Sequence, residues 1–320
     1  MEQRVVGRSG LRVSRIGLGT LTWGRDTDQH EAADQLRDFV DAGGTLVDTA
    51  AAYGDGAAEE LLGSLLGTVV ERDELVVCTR SGVSWRDGGL RVNTSRAAML
   101  SGLDESLARL RTDHVDLWLV QGWCDDVPLE ETLSALEWAT STGRARYVGF
   151  ANFSGWQTAR AASLLSGTAR AVATEVEYSL VQRGVEREVA PAAGALGLGL
   201  LAWSPLGRGV LTGKYRTGTP ADSRGASPHL SGFVGAYLDK RSRLVVDAVV
   251  TAADGLGCSP LEVAIAWVRD RPQVASAVVG ARTAAQLRGS LMSEDVELPA
   301  EIRSALDEVS APMVGYPERN

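Results

Sequence analysis

Asp48 and Tyr53 are the residues of this chain whose types and spacing most directly suggest chemistry. They stand in the stretch GTLVDTAAAYGDGAAEELLG, residues 44–63. It holds a short apolar run (Thr45, Leu46, Val47), an acid at its end, a tyrosine on a glycine-bearing loop, and a helical restart through Glu59, Glu60, Leu61 and Leu62. A carboxylate at the carboxyl end of a strand, with a phenol shortly after it, gives one cavity both an ion-pairing group and a proton donor. On these residues alone, a surface loop with a structural tyrosine is the alternative.

Positioning the two groups requires strands buried on both faces, and the apolar patterning supplies them. Runs centred on Ile16, Leu46, Val76, Leu117, Val148, Val172, Leu200 and Val278 are continuous rather than alternating, and each is followed by helical periodicity. Eight such units predict a (β/α)8 TIM barrel, read as a single domain over residues 1–320. A doubly wound open sheet is the rival, but Gly17, Gly19 and Gly24 do not follow the dinucleotide fingerprint spacing. Residues 4–14 read as a β-hairpin turning at Gly7 to Gly10, a plug for one end of the barrel. Asn93 is the expected cap of the long helix after the third strand. Residues 216–230, after strand seven, form the longest loop and are read as a lid carrying His229.

Tryptophans add a second indication. Trp23, Trp85, Trp123 and Trp203 fall just beyond strands one, three, four and seven, on the rim where a barrel builds its site. That placement points to a substrate pocket for a bulky, flat or partly apolar molecule. Trp118 lies within a strand, and Trp138, Trp156 and Trp267 lie on helical patterns where packing is the expected role.

Composition bounds the function. The 320 residues are 44% hydrophobic and 23% charged, a globular composition, and the net charge of −9 argues against a nucleic-acid surface. Cys78, Cys124 and Cys258 have neither metal nor disulfide spacing, so a reducing cytoplasm and no metal site are expected. The first residues, MEQRVVGRSG, lack the apolar core of a signal peptide, and no run is long enough to span a membrane. Of 32 basic residues only Lys214 and Lys240 are lysines, so lysine chemistry has two available positions.

Seven motifs in order, GLGTLTWG, DTAAAYGDGAAEELLG, HVDLWLV, RYVGFANFS, EVEYSLVQR, WSPLGRGVLTGKY and VVGARTAAQL, together resemble the aldo-keto reductase family across nearly the whole chain. The resemblance implies a barrel reductase that binds NADPH across the carboxyl-end face without a Rossmann domain. It also implies a catalytic set of Asp, Tyr, Lys and His. Asp48 and Tyr53 match the first two. The lysine's place is taken by Arg80 and the histidine's by Gln121. Arg80 supplies positive charge but stays protonated, so it cannot join a proton relay. Gln121 can donate an amide hydrogen but cannot become cationic.

By the same resemblance the nicotinamide amide is met by a Ser-Asn pair and a Gln, whose places here are Ala151, Asn152 and Glu175, and its ring by Trp203. Ser204, Leu206, Gly209 and Lys214 fall in the phosphate-side loop. Arg282, Thr283 and Gln286 serve the 2′-phosphate and adenosine at a helix amino terminus. The family's adenine-side Glu and Asn appear as Gly289 and Ser290. Three functions follow. The first is NADPH-dependent reduction of a small-molecule carbonyl with Tyr53 as proton donor. The second is a repurposed reaction on a conjugated double bond or a redox-neutral step in biosynthesis. The third is cofactor binding without turnover. No leftover apolar stripe is evident, so a monomer is expected.

Overall fold

The eight apolar runs form Ile16–Gly19, Leu46–Asp48, Val76–Ser81, Val115–Val120, Ala145–Ala151, Ala171–Glu177, Gly199–Trp203 and Val274–Gly280, here barrel strands one to eight. In the computed structural model they close into a parallel barrel, with strand eight pairing back on strand one through Ala277 opposite Ile16. All residues are described except 87–88, 166–168, 222, 228–230, 313–314 and 316–320. His229 therefore lies outside the described residues.

Strand four shows why its sequence reads as continuously apolar. Leu117 and Leu119 point into the barrel with Leu46, Cys78 and Leu201, while Trp118 and Val120 pack outward under the helices. With a side-chain period of two, both faces demand apolar residues. Trp118 satisfies its indole by donating to Ser81 Oγ at 3.0 Å. Helices follow every strand, among them Gln29–Asp41, Ala57–Leu65, Arg96–Leu110, Leu129–Ser141 and Gly155–Leu164.

The amino-terminal hairpin pairs Gln3–Val5 with Arg12–Ser14 and drives Val6, Leu11 and Val13 into the barrel interior. Gly7, with φ +55°, is required at its turn: a Cβ there would stand 2.4 Å from the Gly197 carbonyl oxygen. This closes the amino end and leaves the carboxyl end open.

Four features differ from the reading of the sequence. The helix Arg96–Leu110 is capped by Ser95, whose side chain accepts from Ala98 N; Asn93 instead accepts from Ser95 N in the preceding turn. A second hairpin, Val83–Arg86 paired with Gly89–Val92, rises after strand three. After strand seven come a short helix Ser231–Gly235 and two long ones, Lys240–Leu256 and Pro260–Arg269. A further helix, Ala300–Val309, ends the described fold. Among the described residues no single helix is long and apolar enough to cross a membrane.

Candidate active site

Asp48 ends strand two, and the backbone after it turns so that Tyr53 opens a short 3-10 segment, its N–H donating to Ala50 O at 3.0 Å. Gly54, Asp55 and Gly56 then take left-handed φ values of +59°, +52° and +97° in succession. Gly56 is the tightest of these, because a Cβ would lie 2.7 Å from Arg109 Cδ. The following helix is pinned by buried Glu59, which accepts from Thr79 Oγ1 at 2.5 Å and Arg109 Nε at 2.7 Å. The phenol is thus carried on a loop fixed at both ends.

Arg80, on strand three, is only 3% exposed and organises the floor of the site. Its Nη2 donates to Asp48 Oδ2 at 2.8 Å and to the Tyr53 hydroxyl oxygen, Nη1 donates to Glu175 Oε1 at 2.7 Å, and Nε donates to Thr49 O at 3.3 Å. A guanidinium only donates, so the Tyr53 oxygen is used as an acceptor and its own proton is left for another partner. Asp48 Oδ1 and Glu175 Oε2 are buried with no hydrogen-bond partner among the described residues.

Two carboxylates on one buried cation leave an excess of negative charge, and the acid strengths respond. Burial pushes Asp48 up to about 6 against the opposing pull of Arg80. Burial likewise pushes Glu175 up to about 8, with Arg80 opposing and the Asp48 charge adding. The Tyr53 phenol is also raised, chiefly by burial, with Arg80 pulling it down and the two carboxylates pushing it up. Burial works to lower Arg80, but Asp48 and Glu175 outweigh it and hold the guanidinium well above its ordinary value.

Above this floor opens a cavity of about 580 Å³. Asp48, Tyr53, Arg80 and Gln121 line it together with Arg282, Gln286 and Ser290, and Asn152, Trp203, Ser204, Leu206, Gly209 and Lys214 are also in the wall. Gln121 follows strand four and keeps a buried Oε1 without a partner among the described residues. Asn152, at φ +61°, donates to Gln121 O at 3.0 Å and accepts from Trp203 Nε1 at 3.0 Å, which fixes the indole ring. Among the described lining residues the cations are Arg80, Arg208, Lys214 and Arg282, and the one carboxylate is Asp48. Arg80 is paired with Asp48 and Glu175, and Arg208 with Glu177.

The matching of a family model described as "Aldo/keto reductase family" over residues 15–311 decides the assignment. The chain belongs to the aldo/keto reductase family. It is 34% identical over 323 residues to "Uncharacterized oxidoreductase YrpG" of Bacillus subtilis, covering 97% of this chain and 96% of that protein. It is 34% identical over 328 residues to "Probable voltage-gated potassium channel subunit beta" of Oryza sativa subsp. japonica, covering 100% and 98%. To "L-glyceraldehyde 3-phosphate reductase" of Escherichia coli O157:H7 it is 32% identical over 307 residues, covering 92% and 87%. Relatives of this aldo/keto reductase thus include oxidoreductases, and the family generally uses NAD(P)H.

In this aldo/keto reductase Asp48, Tyr53, Arg80 and Gln121 line one cavity with Asn152, Trp203, Ser204, Leu206, Gly209, Lys214, Arg282 and Gln286, whereas Ala151, Glu175 and Thr283 are not in its described lining. Glu175 is fully buried beneath Arg80 and does not line the cavity. Its carboxylate is committed to the guanidinium, which corrects its placement at the nicotinamide amide. Three tryptophans are also corrected. Trp23 is fully buried in the helical layer, donating to Gln35 Oε1 at 3.0 Å. Trp123 packs edge-on against Phe153 and Trp156, away from the cavity wall. Trp85 is 56% exposed on the second hairpin, while its cross-strand partner Leu90 lines the cavity in its stead. Only Trp203 of the four stands in the described lining.

Arg208 was not singled out by sequence, yet it lines the cavity and holds the strand-seven loop. At φ +60° it forks onto Glu177 Oε1 and Oε2 at 2.7 and 2.6 Å, and its guanidinium lies 3.7 Å from the Phe233 ring centroid. The local signal was the strained GRG turn followed by an aromatic segment, which the lysine in the same motif overshadowed.

Proposed function

We propose that this chain is an NADPH-dependent oxidoreductase that reduces the carbonyl of a small molecule, with Tyr53 as the proton donor. The observation that carries the reading is the Tyr53 hydroxyl, whose oxygen is held by Arg80 in a cavity whose wall also carries Lys214 and Arg282. The donor set fits a dinucleotide phosphate. Gly209 takes φ +93° in the loop that carries Lys214, and Arg282 stands in the same cavity wall. Trp203, Ser204, Leu206, Gly209 and Lys214 would hold the nicotinamide face and pyrophosphate, and Arg282 and Gln286 the adenosine phosphate. When bound, reduced nicotinamide supplies a hydride.

The chain's own residues do the rest. Tyr53 hands its proton to the oxygen on which negative charge develops, and Arg80 stabilises the phenolate left behind. Gln121 orients the substrate oxygen through its amide. Since Gln121 cannot become cationic, hydride addition to a conjugated double bond is the second reading. The cavity lining includes aliphatic Leu21 and Leu90 and, of the expected tryptophans, Trp203 alone, so the aromatic character of the acceptor rests on Trp203 and Phe233.

The test is to mix the protein with NADPH and a panel of aldehydes, quinones and α,β-unsaturated ketones, following absorbance loss. Reduction of aldehydes supports the first reading; reduction of the enone double bond alone supports the second. Binding without oxidation by any panel member would contradict both. We further expect Arg282→Ala to raise the dissociation constant for NADPH about tenfold to a hundredfold while changing that for NADH little. Tryptophan quenching measures both constants, and a change of less than about twofold for NADPH would remove Arg282 as the phosphate partner.

A further inference from the structure

We propose that Glu175 is a positioning residue of the active site, and that Arg80 and Glu175 act as one exchangeable unit that aims the Nη2 edge of the guanidinium at Asp48 and Tyr53. This rests on the reading of the cavity as a reductase site. Glu175 and Arg80 are far apart in the chain, on strands six and three, yet their side chains meet at 2.7 Å with 0% and 3% exposure. The guanidinium is thereby held along two edges. Glu175 fixes Nη1, Thr49 O takes Nε, and Nη2 is left to face Asp48 and the phenol.

The size and shape of the cation make the second carboxylate necessary. A lysine ammonium is a point charge and could sit against Asp48 and Tyr53 alone. A planar guanidinium presents a second, outward edge that must also be answered when buried. The Glu175 carboxyl oxygen Oε1 on strand six answers it at 2.7 Å. The resemblance implies a glutamine at the place of Glu175 and a lysine at the place of Arg80, and the two departures meet each other in geometry.

The arrangement also has a proton to hold. Facing Glu175 are Arg80 and, across the guanidinium, Asp48, with Cys78 and Tyr53 beside Asp48; on the neighbouring strands Ala151 and Leu201 stand opposite Glu175 and do not titrate. Burial keeps the Cys78 thiol well above its ordinary value and so uncharged. With Glu175 raised to about 8 and Asp48 to about 6, the folded protein retains a proton that the unfolded chain gives up near ~4. The sign follows: more protons bound in the folded state means that stability declines as pH rises across this window.

The test uses the full chain as Glu175→Gln, Arg80→Lys and the double variant, with unfolding midpoints taken from pH 5 to pH 8.5 and NADPH affinity from tryptophan quenching. The wild-type midpoint is expected to fall with rising pH, and Glu175→Gln to remove most of that slope. Arg80→Lys is expected to lower the midpoint at neutral pH, and adding Glu175→Gln to restore about half of the loss or more, as coupled groups do. NADPH affinity of Glu175→Gln is expected to stay within about threefold while kcat on a reduced carbonyl falls about tenfold or more. Additive midpoints with an unchanged pH slope would overturn the unit. A tenfold change in NADPH affinity without coupling to Arg80 would return Glu175 to the cofactor, as ~1.4 kcal/mol of direct contact. The stability cycle needs no turnover, so it decides this inference even if no carbonyl is reduced.

Discussion

Tyr53→Phe is expected to lower kcat for carbonyl reduction by about 10²- to 10⁴-fold, the usual worth of a positioned general acid. The ring is retained, so its packing against the core and the left-handed turn at Gly54, Asp55 and Gly56 remain satisfied. Arg80 loses one acceptor but keeps Asp48, Glu175 and Thr49. The NADPH dissociation constant should therefore stay within about threefold. A phenol raised by burial still lies below an alkoxide in basicity, so proton transfer to the reduced oxygen runs downhill. Steady-state kinetics at saturating NADPH provide the measurement. A variant that keeps more than about a tenth of the rate would remove Tyr53 as the acid.

Arg80→Met has the largest expected effect on stability. Methionine fills part of the volume but leaves Asp48 Oδ2 and Glu175 Oε1 without their cation, beside the already unpartnered Asp48 Oδ1 and Glu175 Oε2. Breaking a buried pair by removing one partner costs about 3–5 kcal/mol. At neutral pH that corresponds to a fall in unfolding midpoint of roughly 4–7 °C. Without the guanidinium both carboxyls rise further from about 6 and about 8, so both are protonated before the pH has fallen to 5 and the loss should shrink there. Thermal melts at pH 7.5 and pH 5 test both parts. An unchanged midpoint at pH 7.5 would mean that the two carboxylates do not depend on Arg80.

How much of this could be read from the chain depends on whether burial leaves a local trace. The barrel was legible because strands such as VDLWLV, residues 115–120, are apolar on both faces, and each is separated from the next by a helix of its own period. Asp48 and Tyr53 were legible because both lie within one strand–loop–helix unit. The second hairpin left no such trace, since Trp85 and Leu90 on it are 56% and 54% exposed and its sequence need not alternate around a core. Trp23 misled because distance from a strand end does not give direction. Its N–H donates to Thr20 O in a turn, and the ring goes outward to Gln35 rather than over the barrel mouth.

The pairing of Arg80 with Glu175 lay beyond any local pattern, being a contact across the barrel between strands distant in sequence. The trace it did leave was a matched pair of departures from one family's motifs, a larger cation in one and an added carboxylate in the other. One falls in the catalytic set and the other at a cofactor position, and the fold places them 2.7 Å apart. The same applies to Arg208 and Glu177, whose fork ties the strand-seven loop to the end of strand six.

The most direct test of the central claim is hydrogen isotope transfer. Wild-type protein is incubated with NADPH deuterated at nicotinamide C4, on either face in separate samples, together with the aldehyde panel, and the products are read by mass spectrometry. The expected result is an alcohol carrying one deuterium on the former carbonyl carbon from one labelled face only, lost in Tyr53→Phe. Quenching of tryptophan fluorescence by NADPH with no deuterium in any product would contradict it.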